Sequence, residues 1–298
     1  MPQASRPARD NTAILLLVLL SLAWGLSWPA IRIALDEVAP WTVRVVGYAT
    51  GTLFMFAIVQ LQGRKASLPP GVYGHVIISA VLNILGFGLL TTFAQLHVMT
   101  ARVVIVSYSM PVWASLMAWL LLGERLNTAS VVGLLLCVSG LTVLVYPVAF
   151  TGDPIGLLLA LGAALSWAAG TIYVKWARVP GDRVVMTAWQ LAVSFAVTAI
   201  GVVAFEGVPH LWPLSWPVLL ALAFHGPVGT GIAYFLWFSI IGRMPAATAS
   251  LGSLCVPVVG ILSSVILLGE RPGVADVIGF TLIFAAATTV LLPSATKS

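Results

Sequence analysis

The sequence predicts an all-α integral membrane protein of ten transmembrane helices, arranged as two inverted five-helix repeats, and three observations support this. Of 298 residues, 60% are hydrophobic and 8% charged, with a mean hydropathy of +1.07. A soluble domain carries about a quarter charged residues and needs them to cover its surface. Apolar runs of about 20 residues, the length that crosses a bilayer core, recur between short polar breaks from end to end. Finally, the second half of the chain repeats the first.

Ten runs are expected, from Ala13 to Leu35, Trp41 to Leu61, Val72 to Leu96, Val103 to Leu122, Thr128 to Tyr146, Ile155 to Trp176, Val184 to Phe205, Trp216 to Ile240, Ala246 to Leu268 and Val274 to Leu292. Between them lie helix stops and starts: Gly123 followed by charge, Pro69 with Pro70, Asp153 with Pro154, and Val179 through Asp182. No loop is long enough for a soluble domain. The first run follows Arg6 and Arg9 as a signal peptide would, but it is longer than a cleaved apolar core and has a repeat-related partner, so it is expected to remain as a helix. Lys and Arg placement sets the orientation. With the N-terminus inside, Arg6, Arg9, Arg64, Lys65, Arg125, Lys175, Arg178, Arg183, Arg243 and Lys297 fall on the cytoplasmic side, and Arg32, Arg44, Arg102 and Arg271 outside. Both termini are therefore expected in the cytoplasm. The net charge of +5 does not indicate nucleic acid, because the cations stand singly at helix ends.

Pro111 to Leu144 aligns with Pro257 to Val290 at an offset of 146, matching about 13 of 34 positions, among them Leu121 to Arg125 against Leu267 to Arg271. A weaker match sets Trp24 against Trp167 and Arg32 against Lys175. The expected units are residues 1–150 and 151–298, five spans each. An odd number of spans turns the second copy upside down, and the substrate site is expected between the halves near the midplane.

Trp24-Gly25-Leu26-Ser27 with Ala30, Ile31 and Arg32, the Pro-Val pairs at Pro111 and Pro257, and the two Leu-Leu-Gly-Glu-Arg helix ends resemble the drug/metabolite transporter superfamily, and within it an EamA-type exporter. The resemblance covers essentially the whole chain. It implies a ten-helix inverted-repeat fold around a central cavity lined by both halves, in a bacterial-type inner membrane. It also implies export of amino acids, with the aromatic amino acid exporters the first branch to consider, or of other metabolites or drugs. Small multidrug pumps of the superfamily carry a membrane-embedded Glu on their first helix, and this first helix has none.

Candidate residues follow from depth and chemistry. Asp10, Asp36, Glu37, Glu124, Asp153, Asp182, Glu206, Glu270 and Asp276 all lie at helix ends or in loops, so a facilitated, gradient-driven flow of a neutral or zwitterionic solute is expected. An organic-cation exporter on the same fold is the alternative. Trp24 and Trp167 sit 11 or 12 residues into their spans, near the bilayer centre, where they either line the cavity or pack between helices. Trp41, Trp212, Trp216 and Trp237 fit the interfacial belt. Asn83, Phe87 and Thr91 share one helix stripe, and Tyr108 and Trp113 occupy the middle of the fourth span. Tyr173 and Tyr234 lie at similar depth.

His225 opens His-Gly-Pro-Val-Gly-Thr-Gly, where Pro227 and the glycines are expected to weaken the eighth helix, either as a binding site or as a packed kink with the histidine hydrogen-bonded. Arg32 and Lys175 read as anchors at helix C-termini or as attractors of an anionic group at alternate mouths. Gly123 and Gly269 read as αL caps, each followed by a Glu suited to the N-terminus of the next helix. The substrate-binding set is thus Trp24, Asn83, Phe87, Tyr108, Trp113, Trp167, Tyr173, His225 and Tyr234, with Pro29, Pro111, Pro227 and Pro257 as hinges. No nucleophile with a base, carboxylate pair or metal cluster appears, and Cys137 and Cys255 are isolated, so neither catalysis nor a metal or cofactor is expected. The partners expected are a small-molecule substrate and the lipid bilayer. A monomer is expected, with a dimer left open.

Overall fold

The computed structural model describes residues 11–151, 154–209, 211–241, 243 and 252–291. The apolar runs are helices: α1 Asn11–Ala34, α2 Pro40–Leu61, α3 Tyr73–Ala94, α4 Thr100–Leu122, α5 Thr128–Thr151, α6 Ile155–Ala177, α7 Arg183–Glu206, α8 Trp216–Trp237, α9 Cys255–Leu268 and α10 Val274–Leu291. Among the described residues nine of these are long and apolar enough to cross a membrane, and α9 is a shorter apolar helix of 14 residues. The expected start of that span at Ala246 lies outside the described residues, as do Arg6, Arg9 and Lys297. Large apolar side chains point outward along the bundle, with Leu53, Leu120, Leu158, Ile200 and Ile266 all exposed. Water penalises such a surface and hydrocarbon does not.

Helix α1 packs on α8 and α9, α2 on α7 and α8, and α6 on α3 and α4, while α5 and α10 lie together beside α4. Replacing each of the first five helices by the one five places later leaves most of these partnerships unchanged. Close approach depends on small residues at the contacts. A Cβ on Gly170 of α6 would lie 1.4 Å from Asn83 Oδ1, and one on Gly86 of α3 would lie 2.5 Å from Ser166 Oγ.

Four helices depart from regular α geometry among the described residues, α3, α4, α7 and α8. Helix α4 breaks at Tyr108 and Ser109, where Pro111 cannot donate a backbone hydrogen bond and Ser109 Oγ donates to the Val106 carbonyl at 2.6 Å. Helices α3 and α8 widen into π turns over Ala80–Gly86 and His225–Ile232. The second corrects the expected weakening of α8: the chain passes through Pro227 as a continuous wide helix, and Thr230 Oγ1 donates to the His225 carbonyl at 3.2 Å.

Helix N-termini leave amides without intrahelical partners, which hydrocarbon cannot satisfy. Here distant carboxylates do so. The last turn of α7 is also a π turn, and Glu206 at its end accepts from the Trp41 and Thr42 amides at 2.7 and 2.9 Å, capping α2. Glu270 accepts from the Thr100 and Ala101 amides at 2.5 and 2.8 Å, capping α4. Gly123 and Gly269 end their helices in the αL conformation, with φ of 68° and 65°. Glu270, however, does not serve the helix that follows it, and Glu124 instead pairs with Lys175.

At the same end of the bundle, Asp276, 1% exposed, pairs with Arg102 and accepts from the Gly273 amide at 2.8 Å. The exposed pair Arg32–Asp36 spans 2.6 Å within one helix end. Removing one partner of a buried pair costs about 3–5 kcal/mol, and an exposed i,i+4 pair contributes about 0.3–0.5 kcal/mol. Asp276→Asn should therefore lower the melting temperature of the detergent-purified protein by several degrees and Asp36→Asn leave it nearly unchanged, as thermal unfolding of the two variants will show.

Candidate functional site

A cavity of about 130 Å³ lies between α1, α2, α3, α4, α6 and α8. It is comparable to a cavity of about 150 Å³ that holds benzene, so a ring or short aliphatic chain fits and a larger solute extends beyond it. Its walls are aromatic: Phe87 lies edge-on to Trp167 at 5.0 Å and to Trp28 at 6.2 Å, and Trp24 meets Tyr234 at 5.9 Å. Trp24, Asn83, Tyr108, Met110 and Trp167 also line a second, wider space of about 900 Å³ and form a collar between the two. This vestibule reaches the end of the bundle where α6 finishes and α7 begins, and is lined there by Lys175, Arg178, Arg183, Thr187 and Gln190. Nearby, outside the spans, partial burial would raise the Asp182 carboxyl, but hydrogen bonds from Arg64 and the Val184 and Val185 amides hold it below the usual carboxylate range.

At the opposite end the helices are held together by carboxylate caps and ring contacts. There Trp41 stacks on Phe205 at 5.3 Å and meets Phe93 at 6.4 Å, next to the capped start of α2. A Cβ on Gly201 would overlap the Trp41 ring, so that ring packs directly on the α7 backbone.

Arg44 stands at the end of the cavity away from the collar and is 6% exposed. It lies in the second turn of α2, not at the water interface where the sequence reading placed it. Its Nε donates to Thr92 Oγ1 at 2.5 Å and its Nη2 to Thr91 Oγ1 at 3.1 Å, and the guanidinium carbon lies 6.0 Å from the Tyr48 ring centre. Both hydroxyls are aimed by back-bonding, Thr91 to the Phe87 and Gly88 carbonyls and Thr92 to that of Gly88. Tyr48 is fixed in turn by donating to the Ile84 carbonyl at 2.8 Å, on the π turn of α3. Among the described residues no carboxylate pairs with Arg44, and none lines the cavity. A buried guanidinium needs hydrogen-bond partners, and two neutral hydroxyls satisfy only part of that need. His225, 4% exposed, lines the same cavity with neither ring nitrogen hydrogen-bonded, which leaves the expected packed-kink hydrogen bond unmade.

Of the nine residues assigned to the site from sequence, Trp24, Asn83, Phe87, Tyr108, Trp167, His225 and Tyr234 line the cavity. Two are corrected. Trp113 turns toward α5 and α10, packs around Val112, Cys137 and Ala286, and donates Nε1 to Ser109 Oγ at 2.9 Å. Tyr173 bonds to His75 Nδ1 at 2.7 Å and packs beside Trp176, away from the cavity. Trp237, assigned to the interfacial belt, instead contacts Trp24 at 5.9 Å and lines the vestibule. Lys175 lines that vestibule while paired with Glu124. The sequence reading missed Arg44, Tyr48, Trp28 and Thr230. Depth in the sequence did not single out Arg44, which lies fourth from the end of its expected span, as Arg32 does in its own. Pro111 lies just past the α4 break, Pro227 in the α8 π turn, Pro257 in the first turn of α9, and Pro29 inside α1.

A small cavity inside a bundle of membrane-length helices, continuous with a wider vestibule, is what a multi-pass membrane transporter requires. The chain belongs to the EamA-like transporter family, whose model matches residues 11–146 and 154–292. It is similar to the uncharacterized transporter YoaV of Bacillus subtilis, 25% identical over 271 residues covering 90% of this chain and 92% of that one. It is also similar to a probable amino-acid metabolite efflux pump of Salmonella typhimurium, 26% identical over 292 residues and 91% of each chain. A solved protein structure superposes with a TM-score of 0.65 at 26% identity, covering 93% of this chain and 96% of the other.

The cavity wall depends on one close approach. A Cβ at Gly88 would lie 1.9 Å from Tyr48 Oη and 3.5 Å from the Arg44 guanidinium, whereas nothing lies within 4 Å of one at Gly74 on the same span. Overpacking of this kind costs about 1–3 kcal/mol. Gly88→Ala should therefore destabilise the purified protein measurably and Gly74→Ala should not, as paired thermal melts will show.

Proposed function

We propose that the protein is a secondary transporter that exports amino acids, aromatic ones first, and related small metabolites across a bacterial-type inner membrane. In this reading ten spans form two inverted five-helix halves, residues 1–150 and 151–298, which alternate access to the shared cavity. Supporting the two-fold relation, each of the two family matches takes in five apolar runs, and helix partnerships persist under exchange of the halves. With both termini cytoplasmic, the vestibule faces the cytoplasm and the capped end faces outward, the state that loads an exporter. A single chain encloses the whole cavity, so the transporter works as a monomer. Pro29, Pro111, Pro227 and Pro257, each in or beside an irregular or cavity-lining helix segment, are the proposed hinges.

The observation that carries this reading is the aromatic cavity with its collar, continuous with one vestibule. Seven of the residues assigned from sequence share it, and they form its substrate-binding surface. No carboxylate among the described residues lines the cavity to act as a proton carrier, which favours facilitated flow down the solute gradient. The organic-cation alternative is disfavoured by Arg44, because an unpaired cation in a low-dielectric cavity repels another.

Liposomes containing the purified protein and loaded with labelled amino acids should release aromatic ones without an imposed pH gradient, and Trp167→Ala should reduce that rate at least tenfold. Efflux of organic cations alone, and only under a pH gradient, would contradict the proposal.

A further inference from the structure

We infer that the cavity recognises a carboxylate, that Arg44 is the residue that binds it, and that the substrate enters carboxylate first. The inference rests on the transporter reading above and narrows its substrate class to solutes bearing a carboxylate, with an amino group permitted but not required. Only two of the five guanidinium N–H donors are used, those on Nε and Nη2, and both go to neutral threonine hydroxyls. Nη1 makes no hydrogen bond, and the residue lines the cavity with no anion beside it among the described residues. A guanidinium offers paired parallel donors that match the two oxygens of a carboxylate. The hydroxyls of Thr91 and Thr92, themselves anchored to the Phe87 and Gly88 carbonyls, aim it.

The rest of the lining gives the same sign. Among the described residues it contains no Asp or Glu that would hold an ammonium group, and His225 lines it with neither ring nitrogen hydrogen-bonded. The approach is also basic, since Arg178 and Arg183 line the vestibule along with the Glu124-paired Lys175, and no acidic side chain among the described residues lines it. A single-sign funnel leading to a buried cation concentrates anionic groups and directs them inward. Because Arg44 lies at the far end and the collar of Trp24, Tyr108 and Trp167 at the mouth, a bound solute places its carboxylate at Arg44 and its side chain among the rings.

The test titrates the full-length purified protein with hydrocinnamate, its neutral amide hydrocinnamamide, phenethylamine and L-phenylalanine, reading half-saturation from the ligand-induced rise in melting temperature. Hydrocinnamate should half-saturate at a concentration at least tenfold below the amide and the amine, and Arg44→Gln should bring the acid-to-amide ratio to within about twofold of one. Should Arg44→Gln not fold, Arg44→Lys, which keeps the charge without the fork, and Thr92→Val, which releases the guanidinium, should each reduce the ratio severalfold. A purely structural arginine would weaken all ligands alike, so an unchanged ratio in these variants overturns the inference. So does a wild-type protein that binds no carboxylate in the series. If hydrocinnamate binds through Arg44 but no amino acid binds or leaves the liposomes, the amino-acid reading fails and the carboxylate site stands.

Discussion

Hydrocarbon offers no hydrogen bonds, and the structure is organised around that constraint. It is most visible where polar groups must stay inside. The amides at the start of α2 and α4 are closed by Glu206 and Glu270, carboxylates more than 160 residues away in sequence, and the buried Asp276 carries Arg102. These contacts gather at one end of the bundle, beside the Trp41–Phe205 stack, and hold the helices together there. Arg44 is the exception: a charge held in the interior by two hydroxyls and a ring face, with donors to spare.

That exception joins the fold to the proposed activity. A charge left unpaired in a membrane protein costs stability, and a site that keeps it recovers the cost when a complementary ligand arrives. The ligand must then break those bonds to leave, and in the proposed alternating-access cycle it does so once the end held by the Glu206 and Glu270 caps has opened. The irregular segments, the α4 break and the π turns of α3 and α8, lie beside the cavity where such motion would concentrate.

Much of this was legible in the sequence, and the misses have physical causes. Spans could be read because the bilayer demands about 20 apolar residues, and Trp24, Phe87, Trp167 and Tyr234 could be selected by depth. Depth does not give direction. Trp113 is five residues beyond Tyr108, which turns it about 140° away on a helix, and it faces α5 and α10. Tyr173, six beyond Trp167, is turned about 120° away by the same geometry and meets His75. Arg44 was counted with the topology charges because the positive-inside rule scores position along the chain and not burial. Glu124 and Glu270 were read against the helix that follows them in sequence, whereas Glu270, like Glu206, reaches a helix distant in the chain, a pairing that only tertiary packing reveals.

The most direct test of the account is an experimental structure of the full-length protein with hydrocinnamate bound. The account predicts both carboxylate oxygens within about 3 Å of the Arg44 guanidinium nitrogens and the phenyl ring between Phe87 and Trp167. A ligand bound in the vestibule alone, or lying in the cavity with its ring toward Arg44 and its carboxylate toward the collar, would contradict it.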